Sequence, residues 1–238
     1  MKTIGLLGGM SWESTALYYR LINEDIRARL GGLHSAKIAM VSVDFHEIEV
    51  MQANDDWAAA AETLAAAARQ VEAAGADCLL ICTNTMHLVA PAVAEAISIP
   101  LLHLADATAR RIRDDGISRV GLLGTRFTME KDFYRERLEA QGLAVLTPDG
   151  DGRRTVNDVI FDELCLGDIR NSSRKAFLEI IEELRERGAQ AVIEGCTEIG
   201  LLVTPRDTDV LLYDTTRIHA KAAVDFSLGD KQGVYDGK

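Results

Sequence analysis

The sequence predicts an α/β protein of two pseudo-symmetric parallel-sheet domains, and three observations carry that expectation. Short apolar β-type runs alternate with longer helical patterns along all 238 residues, which implies parallel sheets with helices on both faces. An internal repeat relates the two halves. Ile4-Gly-Leu-Leu-Gly8 recurs as Val120-Gly-Leu-Leu-Gly124, and Gly75-Ala-Asp-Cys-Leu-Leu-Ile-Cys-Thr83 recurs as Gly188-Ala-Gln-Ala-Val-Ile-Glu-Gly-Cys-Thr197. The offsets are 116 residues for the first echo and 113 to 114 for the second. Finally, 47% hydrophobic residues is too apolar for disorder, and no run approaches the roughly 18 apolar residues of a membrane span.

The elements follow in order. Ile4 to Gly8 is a strand, and a helix runs from Glu13 to Leu30 with Ser11 as its cap. Lys37 to Val43 is a second strand, Trp57 to Ala74 an alanine-rich helix, and Asp77 to Cys82 a buried strand. Asp44 to Glu49, with three carboxylates and His46, reads as a solvated loop rather than a metal site. A helix over Val89–Ile97 and a strand-like Ile99–His103 complete the first half. The second half repeats the alternation: a helix at Ala105–Asp114, a strand at Val120–Leu123, a helix at Met129–Gln141 and a strand at Leu143–Leu146. Helices near 155–166 and 171–187 and a strand at Gln190–Ile193 follow. Asp214 to Leu228 reads as a final helix returning to the first copy. The expected domains are thus 1–103 with 214–238, and 104–213.

The net charge of −11 argues against nucleic acid, because phosphate binding needs a concentrated basic face. It also repels an anionic substrate, which local donors must then hold. Met1-Lys2-Thr3 leads into a short apolar stretch with no export cleavage pattern, so the cytoplasm is expected. Four cysteines, at 78, 82, 165 and 196, make no disulfide framework in such a chain. Cys78 and Cys82 share a strand, where four residues span about 13 Å, too far for joint zinc ligation. The G-x-x-G-G of Gly5 to Gly9 lacks dinucleotide-fingerprint spacing, and a tight strand–helix turn accounts for it.

In open parallel sheets, ligands bind beyond the carboxyl ends of the strands. Cys82 and Cys196 stand at such ends in equivalent strands. Taken singly, each would read as a packed core thiol; their equivalence and Thr-rich flanks favour catalysis. Racemisation at Cα needs one acid/base group on each face of the carbon, and two symmetry-related thiols supply that pair. Hydroxyls of Thr83, Thr85 and Thr197 and the backbone N–H groups of nearby helix starts are the available donors. They would hold the substrate carboxylate and stabilise the enediolate-like charge as the proton leaves. His87, five residues past Cys82, is read as a structural histidine able to tune that thiol, and His219 as structural. Cys78 and Cys165 are read as packing residues.

Gly8-Gly9-Met10, Cys82-Thr-Asn-Thr-Met-His87, Leu123-Gly-Thr125 with Thr128, and Gly195-Cys-Thr-Glu-Ile199 resemble the motifs of the aspartate/glutamate racemase family. The resemblance spans Ile4 to about Phe226 and is nearest to the broad-specificity bacterial amino-acid racemases. It implies a pyridoxal-phosphate-independent enzyme without cofactor, built of two α/β domains around a cleft and often a homodimer. By resemblance Cys82 and Cys196 are the acid/base pair. Thr83, Asn84, Thr85, Thr125, Thr128, Thr197 and Glu198 line the amino-acid site, with Met10 and Gln52 at its edge. Aspartate-specific members of the family carry an Arg after the second strand and a Lys on a helix of the second half. Asp44 to Gln52 and Phe161 to Leu166 hold no lysine or arginine, so neutral polar substrates such as homoserine stand beside aspartate and glutamate. Two other readings remain open at this point: a maleate- or hydantoin-type isomerase or decarboxylase using the same cysteines, and a non-catalytic amino-acid-binding module.

Overall fold

A computed structural model describes residues 1–229. The chain forms two compact units, Met1–Leu104 with the chain from His219 onward, and Ala105–Ile218. In unit 1, β1 (Ile4–Gly8), β2 (Ile38–Ser42) and β3 (Cys78–Ile81) form a parallel sheet in the order β2-β1-β3. Helices α1 (Trp12–Leu30), α2 (Phe45–Ala53), α3 (Trp57–Ala73) and α4 (Ala90–Glu95) connect the strands or follow them.

Alternation along the strands sorts side chains onto the two faces. Leu7, Leu79 and Ile81 pack with Ile48 of α2, with Leu64, Ala68 and Val71 of α3, and with Val93 of α4. Ile4, Leu6, Cys78, Leu80 and Cys82 pack on the other face with Tyr18, Ile22 and Ile26 of α1. Ala220, Ala223 and Val224 of α11 (Thr215–Leu228) join them there. Each of these two clusters excludes water from one face of the three-stranded sheet.

Unit 2 is built the same way. The helix α5 (Leu104–Asp114) leads into β4 (Arg119–Gly124), and β5 (Ala144–Leu146), β6 (Ala191–Gly195) and β7 (Leu211–Asp214) complete a parallel sheet in the order β5-β4-β6-β7. Its remaining helices are α6 (Arg126–Glu130), α7 (Asp132–Ala140), α8 (Gly150–Asp162), α9 (Asn171–Glu186) and α10 (Ile199–Leu202). Val156 and Ile160 of α8 and Phe177, Ile181 and Leu184 of α9 cover Leu123 and Val192. The central strands β1 and β4 are the two copies of the Gly-Leu-Leu-Gly repeat. No described helix is long and apolar enough to cross a membrane.

Several elements differ from expectation. Asp44–Glu49 is not a loop: Asp44 caps α2, accepting the His46 N–H at 3.0 Å, and Ile48 and Gln52 are buried four residues apart. Ile99–His103 contributes one parallel bridge, Leu79 to Leu101, rather than a strand. Met129–Gln141 is broken at Lys131, whose extended backbone (φ −81°, ψ 145°) separates α6 from α7. The helix expected near 155 starts at Gly150, where Asp149 caps it. Strand β7 and helix α10 carry too few residues to show a period. The second domain boundary falls at Ile218/His219 rather than 213/214, because β7 pairs with β6 and the Thr215 hydroxyl donates to the Glu194 carbonyl at 2.9 Å. Residues 230–238 of the expected first domain lie outside the described residues.

Candidate active site

At the carboxyl edge of the unit 1 sheet, β1 turns sharply. Gly9 has φ +98°, and a Cβ there would meet the Val43 carbonyl oxygen at 2.1 Å. The Gly9 N–H donates to Thr15 Oγ1 at 2.8 Å, tying the turn to α1. Beside it, Cys82 directly follows β3. Its N–H donates to the Leu7 carbonyl at 2.9 Å and its carbonyl accepts the Ser14 hydroxyl at 3.0 Å. Its side chain is fully buried, and burial pushes the thiol well above its ordinary value.

Thr83, Asn84 and Thr85 lead from Cys82 into a short 3-10 turn over Thr85–Val89. His87 holds this segment: Nδ1 lies 2.7 Å from the Thr83 carbonyl, and Nε2 accepts the Leu104 N–H at 3.2 Å. A ring nitrogen that accepts carries no proton, so His87 is neutral and donates through Nδ1. Both nitrogens are occupied by backbone groups, which makes it a clamp on the loop. His219 is structural as well. It accepts the Tyr18 hydroxyl at Nδ1 (2.9 Å) and donates from Nε2 to the Leu102 carbonyl (2.6 Å); burial lowers it to about 4. Met10 is buried in the apolar cluster of α2 and α3. Gln52 Nε2 donates to the Met86 sulfur at 2.9 Å, which places α2 against the segment that follows Cys82.

Unit 2 presents the corresponding edge. Gly124 and Gly195 are paired on β4 and β6. A Cβ on Gly195 would meet the Leu123 carbonyl at 2.6 Å and Thr128 Cγ2 at 3.2 Å, so glycine lets Thr128 pack against the strand ends. Thr125 caps α6, accepting the Thr128 N–H, and the two hydroxyls lie 3.3 Å apart. The Cys196 thiol donates to Glu198 Oε2 at 2.9 Å. Burial first, and then the Glu198 carboxylate, raise this thiol well above its ordinary value. Thr197 Oγ1 lies 3.1 Å from Thr216 Oγ1 at the start of α11.

The strand registers refine the repeat. Leu7 pairs with Ile81, and its counterpart Leu123 pairs with Glu194. Cys82 follows Ile81 directly, whereas Gly195 intervenes before Cys196. This extra residue turns the second thiol to the other face of its sheet: Cys82 packs with α1 and α11, and Cys196 packs against the α8–α9 cluster. The sequence-predicted residues thus form two groups. Met10, Gln52, Cys82, Thr83, Asn84 and Thr85 gather at one sheet edge, and Thr125, Thr128, Cys196, Thr197 and Glu198 at the other. Sequence reasoning did not find the Glu198 carboxylate as the thiol's partner, the clamp through His87, or Thr216. Only the spacing of four from Thr83 to His87 hinted at any of them.

A family profile, Asp/Glu/Hydantoin racemase, matches residues 7–223. The chain belongs to the Asp/Glu/hydantoin racemase family. The crystal structure of a candidate Asp/Glu racemase from Yersinia pestis is 55% identical, with a TM-score of 0.91 over 96% of this chain and 100% of that one. An aspartate racemase homologue from Pyrococcus horikoshii OT3 is 34% identical, with a TM-score of 0.85 over 96% and 100%. The broad-specificity amino-acid racemase RacX of Bacillus subtilis (strain 168) is 23% identical over 155 residues. That match spans 65% of this chain and 66% of RacX, just under two thirds of its length.

Proposed function

We propose that the chain racemises a small amino acid without pyridoxal phosphate, with Cys82 and Cys196 as the two acid/base groups. The observation that carries this reading is a thiol at the same edge of each sheet, beside a glycine turn and followed by threonine and a helix start. One thiolate removes the α-proton, the other thiol protonates the opposite face, and the roles exchange in the reverse direction. Both thiols rest protonated, so the one acting as base must first lose its proton. When Cys196 is the base, Glu198, already accepting its S–H, takes that proton; when Cys82 is the base, its proton passes to solvent water as the site opens to substrate. Backbone N–H groups, the Asn84 amide and the hydroxyls of Thr83, Thr85, Thr125, Thr128 and Thr197 hold the α-carboxylate and stabilise the charge that develops on it.

The substrate class is aspartate, glutamate or a neutral polar amino acid such as homoserine. The lack of a lysine or arginine in Asp44–Gln52 and Phe161–Leu166 supports the neutral members. We read the enzyme as a cytoplasmic homodimer. Exposed Trp12 and Tyr19, seven apart on α1, offer apolar surface for the second copy, and light scattering checks the mass.

The test is incubation with L- and D-amino acids in D₂O without pyridoxal phosphate, reading α-deuterium by NMR and inversion by chiral chromatography. Exchange with inversion, lost in Cys82→Ser and in Cys196→Ser, is the expected result. No exchange across acidic, neutral polar and basic amino acids would sink the reading.

A further inference from the structure

Unit 2 holds a second thiol near Cys196 that the proposed reaction does not use. Cys165 is exposed on a single 3-10 turn, Leu164–Leu166, between α8 and α9. The turn is well fixed. The N–H groups of Leu166 and Asp168 donate to the Glu163 carbonyl at 3.0 and 2.9 Å, and Gly167 closes it in the left-handed region at φ 76°. Glu163 in turn accepts the Ser173 hydroxyl at 2.5 Å. Leu164 anchors it in the same apolar cluster against which Cys196 packs. Helix α10, which begins three residues after Cys196, lies against this turn. Charge on Cys165 is a lesser cause, after burial and Glu198, of the rise at Cys196. Unit 1 has no such arrangement, since both Cys78 and Cys82 are buried.

We propose that Cys165 and Cys196 are a redox pair, in which exposed Cys165 meets a hydroperoxide and Cys196 then closes a disulfide on it. The Cys165 thiolate attacks the peroxide oxygen; the O–O bond breaks, the alcohol (or water) leaves, and Cys165 becomes a sulfenic acid. Glu198 takes the Cys196 proton as that sulfur attacks the Cys165 sulfur. The S–O bond breaks, and the departing hydroxide takes the proton from Glu198 to leave as water. The net change is two thiols and one hydroperoxide to one disulfide, one alcohol and one water. The division of labour follows from exposure: thiolate character and access govern oxidation, and Cys196, protonated and held by Glu198, is the poorer first target. Closing the disulfide removes one acid/base group of the reaction proposed above, on which the functional consequence rests, and a dithiol reductant restores it.

The experiment treats the reduced full chain with one equivalent of hydrogen peroxide. It maps peptides by mass spectrometry without reduction, and measures α-proton exchange before treatment, after it, and after dithiothreitol. The wild type is expected to yield a peptide pair joined through Cys165 and Cys196, with exchange falling at least fivefold and returning with dithiothreitol. In Cys165→Ser no linked pair forms, and treated and untreated exchange agree within twofold. Over-oxidised Cys165 without a link, links between separate chains, or equal inactivation of Cys165→Ser would each overturn the pair. Should the untreated enzyme show no exchange, the racemase reading fails, while the linked peptide still decides the redox pair.

Discussion

Glu194 offers a quantitative test of how unit 2 is held together. It occupies the strand position that Ile81 fills in unit 1, yet it carries a carboxyl that is only 6% exposed. Its Oε1 has no hydrogen-bond partner. Across the β6–β7 ladder it faces Asp214, whose carboxylate caps α11 by accepting the Thr216 and Arg217 N–H groups and pairs with the Arg217 guanidinium at 3.1 Å. Burial, and then Asp214, push Glu194 up to about 8 from its ordinary 4.5, and Arg217 offsets only part of this. The unfolded chain ionises near 4.5, so between pH 4.5 and 8 the native state binds the extra proton. Stability from this group is therefore whole below pH 4.5, declines as pH rises, and is exhausted above about 8. At about 1.4 kcal/mol per pH unit, the loss across the window is on the order of 5 kcal/mol.

Glu194→Ile installs the apolar side chain of the other half, and Glu194→Gln keeps the shape without the charge. Urea denaturation at pH 5, 6, 7, 8 and 9 is the assay. Glu194→Ile should exceed the wild type by about 3–5 kcal/mol at pH 8, with the difference shrinking steadily toward pH 5. Groups such as His219 titrate in both proteins and cancel in the difference. A wild-type pH slope equal to that of both variants between pH 5 and 8 would refute the argument, because it would mean that the carboxyl ionises without cost.

Three other outcomes follow. Burial and then the Glu198 charge raise Cys196. Glu198→Gln removes the second cause, so iodoacetamide should modify Cys196 faster at pH 8, while α-proton exchange slows by roughly 10²-fold for want of the proton acceptor; unchanged exchange would show that the carboxylate takes no proton. Gly9→Ala forces a Cβ onto Val43 backbone atoms in a left-handed conformation, and should cost about 3 kcal/mol or more, some 6–12 °C in Tm. A loss under 2 °C would mean that the turn rearranges freely. His219, lowered to about 4, should stay neutral in ¹⁵N NMR down to pH 5. Its contribution to stability is complete above about pH 6.5 and is lost as pH falls toward 4; titration near 6.5 would contradict the burial argument.

Much of the architecture was legible because long helices and buried strands impose their period on the sequence. Glu13–Leu30 and Trp57–Ala74 were placed to within a residue or so. Ser11 was read as a cap and does accept the Ser14 N–H at 3.3 Å. Short elements were not legible. Helix α2 hid behind three carboxylates, of which Asp44 is a cap and Glu47 a first-turn charge suited to the helix dipole. Strand β7, four residues on an edge, carries no readable alternation. The two cysteines were visible through the repeat and the threonines through the motifs, but Glu198 as the partner of the Cys196 thiol was not.

By itself the sequence determined the α/β class, the two copies and the pair of strand-end cysteines, since apolar periodicity and repetition are properties of the chain. Only the tertiary structure decided which way each thiol faces. A repeat offset of 113 to 114 looks like noise in a string, yet in a pleated strand one added residue, Gly195, turns Cys196 to the opposite face of its sheet from Cys82. It also decided that His87 is a clamp, that Glu198 is within 2.9 Å of a thiol, and that the turn carrying Cys165 lies against the helix that follows Cys196. Those facts depend on hydrogen bonds and packing between segments that the sequence sets far apart.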